Sequence, residues 1–301
     1  MEGKKVVLGF DGSPESRDAL VFARLMARAA GAEIVVVAAA EFPTLPTTAL
    51  DPDPKVFGSM HRILQEANSA LSGIPVETRM AASSSAARAL HDVAEAEKAM
   101  LIVIGSTHRA ALGRVLTGSV GERLMHGAPC ALAVPPRGYA KGDHYGLGLI
   151  GVGYDDSAEA QKALVEARRL AIESDSELRL IGVAQTPNDD AEGREALRAE
   201  MQQRLDEAAH FAAIPDAEGR EVKIETIVTE GRPPDVLADE GIELDVLFVG
   251  SRGYGPVMRT MAGGVSEQLI RLAPCPVVVV PRGKHRHRVL GGALDQLFET
   301  V

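Results

Sequence analysis

The sequence has few cysteines, no excess of positive charge and no long apolar run. Its two cysteines, Cys130 and Cys275, each precede an apolar segment. We expect them in separate cores as small buried hydrophobes rather than in a disulfide. The 42 acidic and 32 basic side chains leave a formal charge of −10, which disfavours nonspecific binding to nucleic acid or anionic lipid. With no bilayer-spanning run and no leader pattern, the sequence predicts a cytoplasmic protein.

The chain repeats itself. Gly105-Ser106 and Gly250-Ser251 each close a short apolar run, and nine residues separate each glycine-containing loop from a second small-residue pair. The same distance along the chain separates Gly105 from Gly250, Gly118 from Gly263 and Cys130 from Cys275. A constant spacing of this kind indicates the duplication of a whole domain. We predict domains at 1–138 and 146–283, followed by a basic junction and an amphipathic tail at 284–301.

Each half alternates apolar strands with amphipathic helices. Ser13 and Pro14 predict a helix start, and Gly31 predicts its end. Unbroken apolar strands such as 34–40 are typical of a parallel sheet covered by helices on both faces. The pattern predicts an α/β fold with two tandem, doubly wound, five-stranded parallel-sheet domains. Among the later elements we expect a strand at 222–228 and a helix at 260–272.

The last strands, 131–134 and 277–280, suggest how the halves meet. The second reads Val-Val-Val-Val, a flat apolar edge of the kind that proteins cover or pair. We predict that the two copies pair through these strands about a pseudo-twofold axis, in a protein that forms a homodimer. In the tail, Leu290, Leu294, Leu297 and Phe298 fall on one helical face, so the tail either docks or frays.

The glycine loops indicate an anion site. A glycine-containing loop that follows a buried strand and leads into a helix lets the backbone approach a phosphate and points free amides at it. In the second half the pattern is Gly250-Ser251-Arg252-Gly253, nine residues, then Gly263-Gly264-Val265-Ser266. In the first half it is Gly105-Ser106-Thr107-His108, nine residues, then Gly118-Ser119-Val120-Gly121.

This two-part pattern resembles the universal stress protein family, whose nucleotide-binding members carry Gly-x-x-Gly, nine residues, then Gly-Ser or Gly-Thr. The resemblance covers nearly the whole chain and includes the Ala-Pro-Cys entry into each last strand. It implies a Rossmann-like fold of the adenine nucleotide alpha hydrolase type. It also implies ATP, ADP or AMP as ligand, with Mg²⁺ accompanying the phosphates.

The resemblance also implies the residues that hold the nucleotide. Asp11 and Asp155, at the ends of the first strands, would lie beside the adenosine. The backbone near Ala38 and Val183 would meet the adenine. The phosphates would lie against the glycine-loop residues, which are Gly105, His108, Gly118, Ser119 and Val120 in the first half and Gly250, Arg252, Gly253, Gly263, Gly264, Val265 and Ser266 in the second.

Both copies depart from the family pattern. His108 replaces the second glycine of the first loop, and its side chain either stands in the phosphate path or turns outward. Gly264 replaces the usual hydroxyl residue of the second loop, while Ser266 restores a hydroxyl two positions later. Because each lost hydrogen bond to a phosphate weakens binding by about 1.5–3 kcal/mol, we expect the second copy to be the binding one.

The sequence favours binding over chemistry. It has no Walker loop, no Ser-Gly-Gly-x-Asp-Ser loop and no His-x-Gly-His signature, and His108 has no partner at matching spacing. We interpret the chain as a nucleotide-binding regulatory module of the stress response, leaving slow ATP hydrolysis and a nucleotide-free interaction protein as alternatives. Asp155 and Asp156 either help to hold magnesium or simply favour the helix start.

Overall fold

The computed structural model describes residues 4–41, 54–106, 119–185, 191–251 and 264–281. In these ranges the chain forms ten strands and eight α-helices in strict alternation, with a short 3-10 helix at Tyr139–Lys141 between the two halves. The tail at 284–301 lies outside the described residues. Within the described part, no helix is long and apolar enough to cross a membrane.

The strands are mostly short and buried. In chain order they are β1 (Lys5–Gly9), β2 (Glu33–Glu41), β3 (Val76–Ser83), β4 (Leu101–Val103), β5 (Ala131–Val134), β6 (Leu149–Gly153), β7 (Glu177–Ala184), β8 (Ile224–Glu230), β9 (Val246–Gly250) and β10 (Val277–Val280).

The helices follow the strands as crossovers. They are α1 (Pro14–Ala30), α2 (Pro54–Ala70), α3 (Ala86–Ala96), α4 (Ser119–Gly127), α5 (Ala158–Ser174), α6 (Ala191–Ala212), α7 (Pro233–Glu240) and α8 (Val265–Leu272).

Helix α1 begins and ends where its sequence predicts. The Ser13 side chain accepts a hydrogen bond from the backbone N–H of Ser16 at 3.1 Å, and Pro14 occupies the first turn. Gly31 ends the helix in the left-handed conformation, with φ of 60°, which glycine adopts without strain. Helix α5 repeats the start, with Ser157 capping the N–H of Ala160 at 3.2 Å.

The strands form one sheet in the order β3-β2-β1-β4-β5-β10-β9-β6-β7-β8. Within each half all pairings are parallel, as predicted. At the centre β5 and β10 pair antiparallel, with Val278 opposite Ala133. Each half reverses its strand order beside its first strand, between β1 and β4 and between β6 and β9, and ligands of doubly wound sheets bind at such points.

The helices divide between the two faces of the sheet. The core on one face contains residues of α1, α2, α5 and α6, and that on the other contains residues of α3, α4, α7 and α8. Both cores include residues from the two halves. Helices α1 and α5 are in contact, and Lys4 forms an ion pair with Glu173 of the second half.

The boundaries of β8 and α8 are among those that differ from the sequence-based ones. Strand β8 begins at Ile224 rather than at 222. Helix α8 begins at Val265, because Gly264 has an extended ψ of 172° and occupies the N-cap position. Residues 260–263 of the predicted helix lie outside the described residues. Between the halves, Asp18 of α1 accepts hydrogen bonds from the backbone N–H groups of Gly138 and Ala140, at the start of the 3-10 helix.

Both cysteines are buried and free, and burial raises the pKa of each thiol to about 12. We therefore expect native protein at pH 8 to react very slowly with a thiol reagent, because little thiolate forms and access is blocked. In denaturant both thiols should react within the mixing time of the assay. The measurement is a colorimetric count of reactive thiols, and rapid labelling of one or two cysteines before unfolding would contradict the burial.

Candidate functional site

The turn after the first strand of each half holds an aspartate by hydrogen bonds. In the second half, Asp155 Oδ1 accepts from the backbone N–H of Ser157 at 3.1 Å and from its hydroxyl at 2.6 Å. In the first half, Asp11 Oδ1 accepts from the N–H of Ser13 at 2.9 Å. Partial desolvation raises the pKa of Asp11, but hydrogen bonds from Ser13 and Ser16 outweigh it and leave the pKa below its usual value. These bonds fix the carboxylates at the carboxyl end of the sheet.

Asp156, next to this turn, adopts an unusual backbone conformation. Its φ is 63°, in the left-handed region, where the first half has Gly12. Its Oδ1 accepts from the Tyr154 hydroxyl and from the Gln161 amide, both at 3.1 Å. Burial, and next the negative charge of Asp156, raises the pKa of Tyr154, so this hydroxyl remains a donor. The carboxylate of Asp156 is thus engaged in the turn, which favours its structural interpretation over a magnesium role.

The second strands show that Ala38 and Val183 are not equivalent. Gly9 of β1 pairs with Val37, whereas Gly153 of β6 pairs with Ile181. Ala38 is therefore the counterpart of Gly182, and Val183 lies one position further along. The two residues also belong to cores on opposite faces of the sheet. The two predicted adenine contacts therefore lie at different positions of β2 and β7, although these strands pair in the same register in both halves.

Packing alone explains why positions 105 and 250 are glycines, without any ligand. A Cβ on Gly105 would lie 2.4 Å from the carbonyl oxygen of Glu15 in the first turn of α1. A Cβ on Gly250 would lie 2.7 Å from Glu159 Cβ, in the first turn of α5. Only glycine allows the ends of β4 and β9 to pass this close to the neighbouring helix. Both glycines lie at the carboxyl edge of the sheet, Gly105 shortly after β4 and Gly250 at the end of β9.

Helix α8 presents its amino terminus near the same edge. Gly264 is exposed, and its side-chain position has no atom within 4 Å. Val265 is half-buried, and Ser266 is only 6% exposed. The first turn of a helix leaves backbone N–H groups without intrahelical partners and attracts anions. In the first half, α4 begins at Ser119, and Val120 packs on the core beneath it.

A cavity of about 310 Å³ lies at the carboxyl ends of β6 and β7. It brings together Asp155 and Val183, two of the residues predicted for the adenosine. Helix α6 forms the opposite wall. The full lining is Asp155, Val183, Ala184, Gln185, Leu197, Glu200, Met201 and Arg204. A larger open groove, about 740 Å³, runs along another side of α6 and contains none of the predicted residues.

Sequence reasoning missed the α6 wall. Charged residues occur along the whole length of α6, so the sequence alone does not single out Glu200 and Arg204. No cluster of three or more metal-ligating side chains occurs in the part of the chain that is described. Five predicted loop residues lie outside the described residues, namely His108, Gly118, Arg252, Gly253 and Gly263.

Comparison with known families agrees with this architecture. The model of the universal stress protein family matches residues 3–136 and again residues 148–281. The chain therefore belongs to the universal stress protein family and contains two tandem family domains. A universal stress protein of Mycobacterium bovis is 26% identical over 297 residues, covering 91% of this chain and 96% of the relative.

A solved structure has the same fold over nearly the whole chain. A universal stress protein from Archaeoglobus fulgidus aligns over 94% of this chain and 100% of its own, with a TM-score of 0.64 and 23% identity. A universal stress protein solved in complex with cAMP aligns over 44% of this chain and 96% of its own, with a TM-score of 0.32 and 21% identity.

Proposed function

We propose that the second domain binds an adenine nucleotide, ATP in the first instance, and that the protein acts by a nucleotide-dependent change of conformation or partner. ADP and AMP are the other candidates. The observation that carries the proposal is the cavity shared by Asp155 and Val183. It lies beside the point where the strand order reverses, which is the usual ligand position in this class of sheet.

The cavity suits the nucleoside part of the ligand. Its volume is near the lower end of the ~300–1,000 Å³ range of ligand pockets, which leaves the phosphates outside it. Val183, Leu197 and Met201 supply apolar surface for a base. Asp155 supplies carboxylate oxygens that accept hydrogen bonds from ribose hydroxyls.

The phosphates are assigned to the start of α8 and to the loop before it. Exposed Gly264 opens the helix, and the backbone amides beyond it favour an anion. Arg252, Gly253 and Gly263 complete the proposed phosphate site. Magnesium, where present, is proposed to be held mainly by the phosphates, as this ion often is.

The second domain is proposed as the tighter site. Gly253 leaves room for a phosphate where the first loop has His108. In the first domain the proposed contacts are Asp11, Ala38, Gly105, His108, Gly118, Ser119 and Val120. Ala38 is the counterpart of Gly182 rather than of Val183, so the two proposed sites differ at this strand.

Asp155→Ala should weaken ATP binding by about tenfold to more than a hundredfold, because a charged hydrogen-bonding partner contributes about 1.5–3 kcal/mol. Asp11→Ala, the matched change in the first domain, should leave the measured affinity within about twofold. Titration calorimetry gives both the affinity and the stoichiometry. Equal losses in the two variants would contradict the assignment to the second domain.

Two further measurements separate the alternatives. Mass spectrometry of the purified protein detects co-purifying nucleotide, and wild-type protein that neither carries nor binds any nucleotide would be an interaction protein without nucleotide. Release of inorganic phosphate from bound ATP tests slow hydrolysis. A regulatory binding module should hold ATP over many binding events without releasing phosphate.

We further propose that the protein is cytoplasmic, that its halves pack about a pseudo-twofold axis and that the paired chain forms a homodimer. The antiparallel register of β5 and β10 supports the intramolecular pairing. Light scattering on the full chain measures the mass and so distinguishes a dimer from a monomer.

A further inference from the structure

The α6 wall of the cavity differs from its counterpart in the first domain. Helix α2 and the residue after it bury Met60, Leu64, Ala67 and Leu71, and Met201, Leu205, Ala208 and Ala212 have the same spacing on α6. On this alignment Arg204 corresponds to Ile63, and Glu200 corresponds to Ser59. The second domain therefore has two charged residues where the first has an aliphatic residue and a hydroxyl.

In the second domain, Arg204 lines the cavity together with Asp155 and Val183. Its Nη2 donates to Glu200 Oε1 at 2.6 Å, one helical turn away. The Arg204 side chain is 42% exposed, so this ion pair restrains a guanidinium that solvent or a ligand still reaches. Met201 packs tightly against β7, because a Cβ added to Gly182 would lie 2.6 Å from Met201 Cγ. This contact limits how far the cavity extends between α6 and the sheet.

In the first domain the residue that corresponds to Arg204 packs against the turn after β1. Ile63 Cγ1 lies 3.4 Å from the side-chain position of Gly12, directly after Asp11. Arg17 of α1 pairs with Glu66 of α2 at 2.7 Å, which ties the two helices together over this turn. In the second domain Gln161 takes the place of Arg17 and instead bonds to Asp156.

We propose that Arg204 is a ligand-contacting residue of the second-domain site, whose guanidinium lies against the face of the purine base. This inference rests on the proposed function. Guanidinium groups are planar, weakly hydrated and stack on aromatic faces, and a purine offers such a face. Val183 lines the cavity from the strand side, opposite the α6 wall that carries Arg204 and Met201. In the first domain Ile63 removes the contact, so Arg204 distinguishes the two copies.

The test replaces Arg204 by the residue of the first domain. Arg204→Ile should weaken binding of both adenosine and ATP by the same factor, about 3- to 30-fold, because the contact is to the base. Arg204→Lys, which keeps the charge and loses the plane, should lose most of the same factor. Arg198→Ile, on α6 but outside the cavity, is the control and should change neither affinity.

Calorimetric titrations with adenosine, AMP and ATP distinguish the outcomes. Equal losses for the three ligands in Arg204→Ile support the proposal. An unchanged affinity, or a loss confined to ATP, overturns it and leaves the proposed function intact, since the wild-type protein still binds. A wild-type protein that binds none of the three ligands overturns both this role and the nucleotide assignment.

Discussion

Gly105→Ala should lower the free energy of unfolding by about 3 kcal/mol or more. The new methyl group would lie 2.4 Å from the carbonyl oxygen of Glu15 and 2.5 Å from its carbonyl carbon. These are backbone atoms of the first turn of α1, so no side-chain rotation relieves the overlap. Either α1 or the end of β4 must shift, and both belong to a close-packed core. Chemical denaturation followed by circular dichroism measures the loss.

The control is a glycine with no such neighbour. Gly58 lies inside α2, and its side-chain position has nothing within 4 Å. Gly58→Ala should stabilise the protein by up to about 1 kcal/mol, because alanine is the better helix former. Gly250→Ala should resemble Gly105→Ala, since its methyl group would lie 2.9 Å from the carbonyl carbon of Glu159. A Gly105→Ala variant as stable as Gly58→Ala would show that the close approach is not required.

Much of the fold was predictable because the same sequence pattern occurs in both halves of the chain. The repeat at Gly105 and Gly250, together with unbroken apolar runs, predicts two parallel-sheet domains, and the strands at Ala131–Val134 and Val277–Val280 match the structure residue for residue. Helix ends with chemical markers, such as Ser13 and Gly31, were also correct. Boundaries without a marker were less accurate. The predicted helix at 260–272 includes Gly264, whereas α8 begins only at Val265, after the extended backbone of Gly264.

The candidate site was predictable where chemistry is local. Asp155 ends a strand and caps a turn, so its place follows from the adjacent residues. The predicted contacts Ala38 and Val183 lie at different positions of β2 and β7, because an unbroken run of similar apolar residues does not show which side chain faces which side of the sheet. Arg204 depended on a helix distant in sequence that folds over the strand ends. Its position in the site becomes clear when the spacing of the buried residues on α2 is compared with that on α6, which requires the structure.

The junction between β5 and β10 should be the position most sensitive to charge. Val278 is 0% exposed, pairs with Ala133 of the other half and also pairs with Phe248 of β9. A carboxylate there would lie in the core with no cationic partner designed for it. Val278→Asp should therefore lower the free energy of unfolding by about 4 kcal/mol or more.

Because the junction joins the halves, the same change should also uncouple them. Wild-type protein should unfold in one calorimetric transition, since both cores contain residues of the two halves. Val278→Asp should give two transitions or a much lower melting temperature. Val76 is half-buried on the edge strand β3. The matched change Val76→Asp should lower the free energy of unfolding far less, because its carboxylate reaches water at the sheet edge. If the two variants melted alike, the pairing of β5 with β10 would not be what holds the halves together.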